Sequence, residues 1–415
     1  MSEEAVEATG PQVRRLGDWA AADLADLAAE YDTPLYVTDL ERVQANATRL
    51  RAAFPDADVH YAVKAHTGQA VLRAVRAAGL GAECASAGEV VRALKAGFEG
   101  REIQYTAVNP PATDLDTVVE RWRDDAAGLT VVAGARDTLD RLRDRGFDGR
   151  IAIRVNPGVG AGHHAKVTTG GHAKFGVPYD RAADLLADAR DDFDVVGIHA
   201  HAGSGISGED LDAHRELVAR MGDLARDVGD LEFVDVGGGF GVPYHEDEPP
   251  LDLGAVADAT REALGDVDAR LAVEPGRYVV ADAAVLLTRV NTVKEAEGVA
   301  VAGVDAGMTT LLRPAMYGAY HAIRNLDADG RRERPVTVAG PVCETADLFC
   351  EERPLPDPRR DDLLAVGNAG AYGYEMANTY NSRPRPAEVV RDADGVRLAR
   401  EREGLEALTA LEGDE

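Results

Sequence analysis

Lysine is scarce in this 415-residue chain: Lys64, Lys95, Lys166, Lys174 and Lys294 stand among 45 basic side chains, leaving 40 arginines. Against them are 73 acidic residues, for a formal net charge of -28. Nucleic-acid binding depends on basic surfaces that displace counterions, so this balance excludes it. An acidic surface so poor in lysine is read as adaptation to high salt, where screening relieves the self-repulsion. No apolar run reaches the roughly 18 residues needed to cross a bilayer, so no membrane span is expected. The start, Met1-Ser2-Glu3-Glu4-Ala5, lacks the basic and apolar parts of a secretory signal, and a cytoplasmic location is expected. Three cysteines, Cys84, Cys343 and Cys350, are too few for a disulfide framework and lack the close pairing of a structural zinc site. Free thiols and no metal are expected.

What is present is a rhythm. A helix is expected over 16–30 and a short strand over 33–37, after which helical and strand patterns alternate. Strands are expected at 59–63, 82–85, 103–105, 129–132, 151–155, 195–199, 233–236 and 271–274, with helices between them. Such a series predicts an α/β fold, a parallel (β/α)8 barrel over 34–283 whose active site lies at the C-terminal strand ends. An open doubly wound sheet would gather its functional residues at one switch point, whereas here polar residues follow strand after strand. From 284 to 415 the text becomes β-rich, with runs such as 284–290, 299–304 and 334–339 punctuated by glycine and proline. A second, mostly antiparallel β domain is expected there, with residues 1–33 packing on it.

Four groups carry chemistry. Lys64 ends the run Val59-His60-Tyr61-Ala62-Val63, where dry surroundings would favour the neutral amine that condensation with an aldehyde needs. A lysine merely reaching out from a strand end is the bland alternative. Asp235-Val236-Gly237-Gly238-Gly239-Phe240-Gly241 follows a strand, and successive glycines let backbone N–H groups approach an anion. Ser204, in His199-Ala200-His201-Ala202-Gly203-Ser204, supplies a hydroxyl for the same anion; His201 lies nearer the barrel mouth, and His199 is read as a structural histidine. Glu274-Pro275-Gly276-Arg277 joins a carboxylate suited to a ring nitrogen with a cation suited to phosphate or carboxylate. Taken together, these groups match the needs of pyridoxal 5′-phosphate.

The motifs resemble the barrel-fold pyridoxal-phosphate enzymes that include alanine racemase and eukaryotic ornithine decarboxylase, and most of all the diaminopimelate decarboxylases. The resemblance runs through Tyr61-Ala62-Val63-Lys64, Glu83-Cys84-Ala85-Ser86-Ala87-Gly88-Glu89, Arg154-Val155-Asn156-Pro157, the histidine and glycine segments, and Glu274-Pro275-Gly276-Arg277. It continues through Asp305-Ala306-Gly307-Met308, Arg313-Pro314-Ala315-Met316-Tyr317, Gly340-Pro341-Val342-Cys343-Glu344 and Gly370-Ala371-Tyr372-Gly373, and ends in Asn381-Ser382-Arg383-Pro384-Arg385-Pro386. The resemblance implies that Lys64 holds the cofactor covalently and that His201 stacks on its ring. It further implies that Ser204, Gly238, Gly276 and Arg277 bind the phosphate, while Glu274 keeps the ring nitrogen protonated. Cys343 would return a proton to the α-carbon from across a homodimer interface, and Glu344 would read the distal amine. Arg277, Arg313 and Tyr317 would bind the distal carboxylate, and Tyr372 would touch both cofactor and substrate.

The activity implied is decarboxylation of meso-2,6-diaminopimelate to L-lysine and CO2, the last step of lysine biosynthesis. His66 stands where the family commonly has asparagine, and Ala202 where it has a bulkier apolar residue. Decarboxylation of another basic amino acid or of carboxynorspermidine is the alternative on the same scaffold. Ornithine and arginine, however, offer no distal carboxylate to Arg313 and Tyr317. A non-catalytic pyridoxal-phosphate-binding regulatory homologue would be expected to have lost Lys64 or Cys343, and both are present.

Overall fold

The computed structural model describes residues 12–159, 174–201, 203, 206, 211–296 and 298–413. Two compact units emerge: one comprises Gln44–Val242 and Leu251–Val279, the other the segment up to Val43, Pro243–Pro250 and the chain from Val280 onward.

In the first unit, eight parallel strands pair in a closed ring. In chain order they are Asp58–Ala62, Gly81–Cys84, Ile103–Tyr105, Thr130–Ala133, Arg150–Asn156, Asp194–His199, Phe233–Asp235 and Arg270–Val273. Each pairs with the next, and Arg270–Val273 closes on Asp58–Ala62 through Ala272 opposite Asp58. The expected barrel is therefore present. Its strands are three to seven residues long, and apolar side chains such as Val132, Ala152, Val196, Phe233 and Ala272 form a buried cluster of the unit. Helices form where apolar positions recur at helical spacing. Gln69–Ala77 buries Val71, Leu72, Ala74 and Val75 and keeps Arg73 and Arg76 outward. Ala87–Ala96 starts on Ser86, whose hydroxyl accepts from Glu89 N, and stops at Gly97 in the left-handed conformation.

In the second unit the strand Leu35–Asp39 lies between an antiparallel neighbour, Ala284–Ala296, and a parallel one, Ala387–Asp392. The parallel barrel thus begins at Asp58, not at the strand near residue 34. Alternation along Leu35–Val37 explains why this sheet is covered on both faces. Leu35, Val37, Val285 and Leu287 enter one apolar cluster with Trp19 and Leu24, while Tyr36 and Leu286 enter another with Val338 and Phe349. Most pairings in this unit are antiparallel, including Glu333–Ala339 with Leu348–Pro356 and Ala387–Asp392 with Gly395–Arg400. No helix among the described residues is long and apolar enough to cross a membrane.

Candidate active site

The strand Asp58–Ala62 passes directly into a tight turn, Val63–Ala65, that carries Lys64. Hydrogen bonds fix that turn: His66 N donates to Val63 O (3.0 Å), Tyr61 Oη to His66 O (3.1 Å), and Gly68 N to His66 Nδ1 (3.1 Å). The unusual His66 thus closes the turn with its ring. Lys64 is only half-buried, with 41% of its side chain exposed, and its amine is ion-paired to Glu83 on the neighbouring strand, whose side chain is 2% exposed. The amine expected in dry surroundings is thus partly exposed and meets a buried carboxyl.

Around the barrel the next strand ends deliver a buried polar cluster. His199 Nε2 lies 3.2 Å from Glu274 Oε2, and Gln104 donates from one amide nitrogen to Glu274 Oε1 and Asp235 Oδ2, both at 2.9 Å. Asp235 Oδ1 accepts from Gly237 N (2.8 Å), and Gly238 N donates to His201 Nδ1 (3.1 Å). The glycines here are obligatory. Gly237 has φ +75°, and a Cβ at Gly238 would lie 2.1 Å from the Glu274 carbonyl oxygen. Gly276 sits beside the lysine turn, where an added Cβ would be 3.0 Å from Ala62 Cβ; Ala62 N also donates to Pro275 O (3.1 Å). Arg277 opens a single helical turn, Arg277–Val280.

Burial dominates the electrostatics. It pushes Glu274 up to about 8, reinforced by Glu83 and opposed by Lys64 and Arg154. It raises Asp235 to about 6, with Glu274 adding to the effect. His199 is held down at about 4 by burial, and His201 well below its ordinary value by burial and then Lys64. Both imidazoles are neutral at pH 7. His199, Asp235 and Glu274 are close enough to share a cation, yet Gln104 already occupies both carboxyls as a donor.

The remaining expected residues lie in the second unit. Arg313 begins the short helix Arg313–Tyr317 and is 3% exposed. Its Nη1 reaches Tyr244 Oη (2.8 Å) and His321 Nε2 (2.9 Å); His321 Nδ1 in turn donates to Gly367 O (2.8 Å), which leaves Nε2 as the acceptor for the guanidinium. Tyr372 takes a left-handed φ of +56°. Cys343 is exposed, whereas Cys84 and Cys350 are buried. Asn381 Nδ2 donates to Cys343 Sγ (3.3 Å), Tyr380 Oη to Glu344 Oε1 (2.5 Å), and Arg383 Nη2 to Pro341 O (3.1 Å). Ser204 lies outside the described residues.

The family model for the pyridoxal-dependent decarboxylase, pyridoxal binding domain, matches residues 40–281. The diaminopimelate decarboxylase of Methanothermobacter thermautotrophicus is 43% identical over 410 residues, covering 93% of each chain. The chain belongs to the diaminopimelate decarboxylase family. The Escherichia coli K12 member is 38% identical over 424 residues, covering 95% of this chain and 97% of its own. Among solved structures, the Helicobacter pylori member complexed with L-lysine superposes with a TM-score of 0.87 at 33% identity, covering 94% of this chain and 99% of that one.

The family's cofactor, pyridoxal 5′-phosphate, fits the residues present. Lys64 supplies an amine, Glu274 a buried carboxyl, and the turn at Gly237 and Gly238 a backbone surface that no side chain could cover. Reading the chain alone passed over Gln104, and gave Asp235 no role beyond opening the glycine motif. The signal for Gln104 was a lone amide in an otherwise apolar strand, Ile103–Tyr105, because a buried polar group requires a partner. Tyr380 and Asn381 carried no such signal, since both are exposed.

Proposed function

We propose that the chain decarboxylates meso-2,6-diaminopimelate to L-lysine and CO2. The observation that carries this is the amine of Lys64, paired to Glu83, on the same strand ends as the buried Glu274. Pyridoxal 5′-phosphate supplies, when bound, an aldehyde for an amine and a protonated ring that accepts the electron pair left by departing CO2.

Lys64 is the attachment point for the cofactor, and Glu83 fixes its amine in place. Glu274 presents a carboxylate to the ring nitrogen and holds a proton there, and His201, neutral and accepting from Gly238 N, offers a flat face for stacking. Backbone N–H groups at Gly276 and Arg277, with the Ser204 hydroxyl and the side-chain-free approach at Gly238, receive the phosphate. Arg277, Arg313 and Tyr317 bind the distal carboxylate, Glu344 the distal ammonium, and Tyr372 contacts substrate and cofactor. Cys343 Sγ returns the proton to the α-carbon. The exposure of Cys343, with its loop braced by Tyr380, Asn381 and Arg383, supports its donation to a second copy in a homodimer. The protein acts in the cytoplasm, a reading supported by its free thiols and by the biosynthetic role of its substrate.

A panel of amino acids tests the assignment: CO2 and L-lysine are expected from meso-diaminopimelate, with none from L-ornithine or L-arginine. Turnover of another amino acid without diaminopimelate would refute it. Lys64→Ala is expected to abolish CO2 release, and Cys343→Ala to slow return of the proton; parent activity in Cys343→Ala would remove that residue's role.

A further inference from the structure

We propose that His199 and Gln104 are positioning residues that hold Glu274 as a hydrogen-bond acceptor at both oxygens, so that the proton shared with the cofactor resides on the ring nitrogen. The inference rests on the function proposed above and concerns residues that reach the cofactor only through Glu274.

The tautomer of His199 follows from its surroundings. Nδ1 is buried and has no hydrogen-bond partner among the described residues, whereas Nε2 faces Glu274 Oε2 at 3.2 Å. An orphaned buried N–H is rarer and costlier than an orphaned lone pair, so the hydrogen sits on Nε2 and is donated to Glu274. The orientation of Gln104 is equally constrained. Both of its 2.9 Å contacts are to carboxyl oxygens, on Glu274 and Asp235; turning the amide over would set a carbonyl oxygen against both. Asp235 is itself held by Gly237 N at 2.8 Å, which fixes the far side of Gln104.

Each oxygen of Glu274 therefore receives one donor, Oε1 from Gln104 and Oε2 from His199, and keeps a further lone pair for another. The groups acting on Glu274 are the carboxyls of Glu83 and Asp235, the cations of Lys64 and Arg154, and neutral His199. Burial and Glu83 favour the neutral acid; Lys64, Arg154 and the Gln104 donor oppose them, and a hydrogen bond donated by His199 favours the ionised form in the same way. Without the donors, Glu274 would retain the proton and the ring nitrogen would lose it.

The test uses holoenzyme carrying cofactor labelled with 15N in the ring, with the ring-nitrogen resonance followed by NMR from pH 6 to 9. The variants are His199→Leu and Gln104→Met, which delete one donor each, and His199→Gln, which returns an N–H near the Nε2 position. In the parent the nitrogen is expected to stay protonated across the range. In each deletion variant its midpoint is expected to fall by about one pH unit or more, tenfold in the proton equilibrium, as for loss of a hydrogen bond to a charged group. A comparable fall in kcat should accompany it, with KM little changed, and His199→Gln should recover both. A ring nitrogen that remains protonated to the same pH in both deletion variants overturns the proposal, whatever happens to activity. If His199→Leu does not fold, Gln104→Met alone decides. Because the resonance is read without substrate, an error in the substrate assignment shows separately, as CO2 from the wrong amino acid in the parent.

Discussion

Replacing Glu274 by glutamine removes a carboxyl that the folded apoprotein keeps protonated far above its ordinary range, and stability should report the change. In the fold its pKa is about 8 because it is buried beside Glu83; its ordinary value is 4.5. Between those values the folded state holds a proton that the unfolded state has released, so stability falls as pH rises. Other groups act in the same region with the opposite sign. His199 and His214, both held at about 4 against 6.5, make stability rise with pH below 6.5. Asp235, at about 6 against 3.8, lowers it with rising pH mainly below pH 6. From pH 6.5 to 8 the histidines, His201 included, act alike in both proteins, so the parent should lose about 1–2 kcal/mol relative to Glu274→Gln. Urea denaturation of the two apoproteins at intervals across that window supplies the measurement. Parallel stability curves would show that Glu274 is ionised in the apoprotein and would refute the reasoning.

Gly238→Ala should cost about 1–3 kcal/mol in stability and weaken cofactor retention, because its Cβ would fall 2.1 Å from a backbone oxygen that cannot move aside. Equilibrium dialysis of the cofactor reads the second effect, and parent-like retention would count against the cradle. Asp282→Ala should destabilise by about 3–5 kcal/mol, since it removes the carboxylate that the buried Arg42 guanidinium meets at 2.6 Å and 3.2 Å. A loss below about 1 kcal/mol in chemical denaturation would show that water already reaches that pair. With a net charge of -28, the melting temperature is expected to rise between low and molar salt; a fall would remove the case for high-salt adaptation.

The barrel was legible because its strands are short apolar runs separated by helices of clear period, and because Lys64, His201 and Glu274 each follow such a run. Leu35–Asp39 was not, since a strand buried on both faces reads the same whether it joins a barrel or a mixed sheet. Arg313 stood out only through the family resemblance, because the side chains that meet it, Tyr244 and His321, include one 69 positions away in the chain. His199 read as structural because nothing in the local pattern reveals that its ring meets a carboxyl 75 positions on. Long-range polar contacts of this kind leave no periodic trace, so they had to come from the fold.

The placement of Leu35–Asp39 bears on how the chain is made. Its two sheet partners, Ala284–Ala296 and Ala387–Asp392, are synthesised some 250 and 350 residues later. The barrel between them can pair its strands one after another as they emerge, but the second sheet must wait for the far end of the chain. A ribosome stalled before residue 387 would leave a product with every barrel strand made and an apolar strand open along one edge. Such a fragment is a target for chaperones and a seed for aggregation.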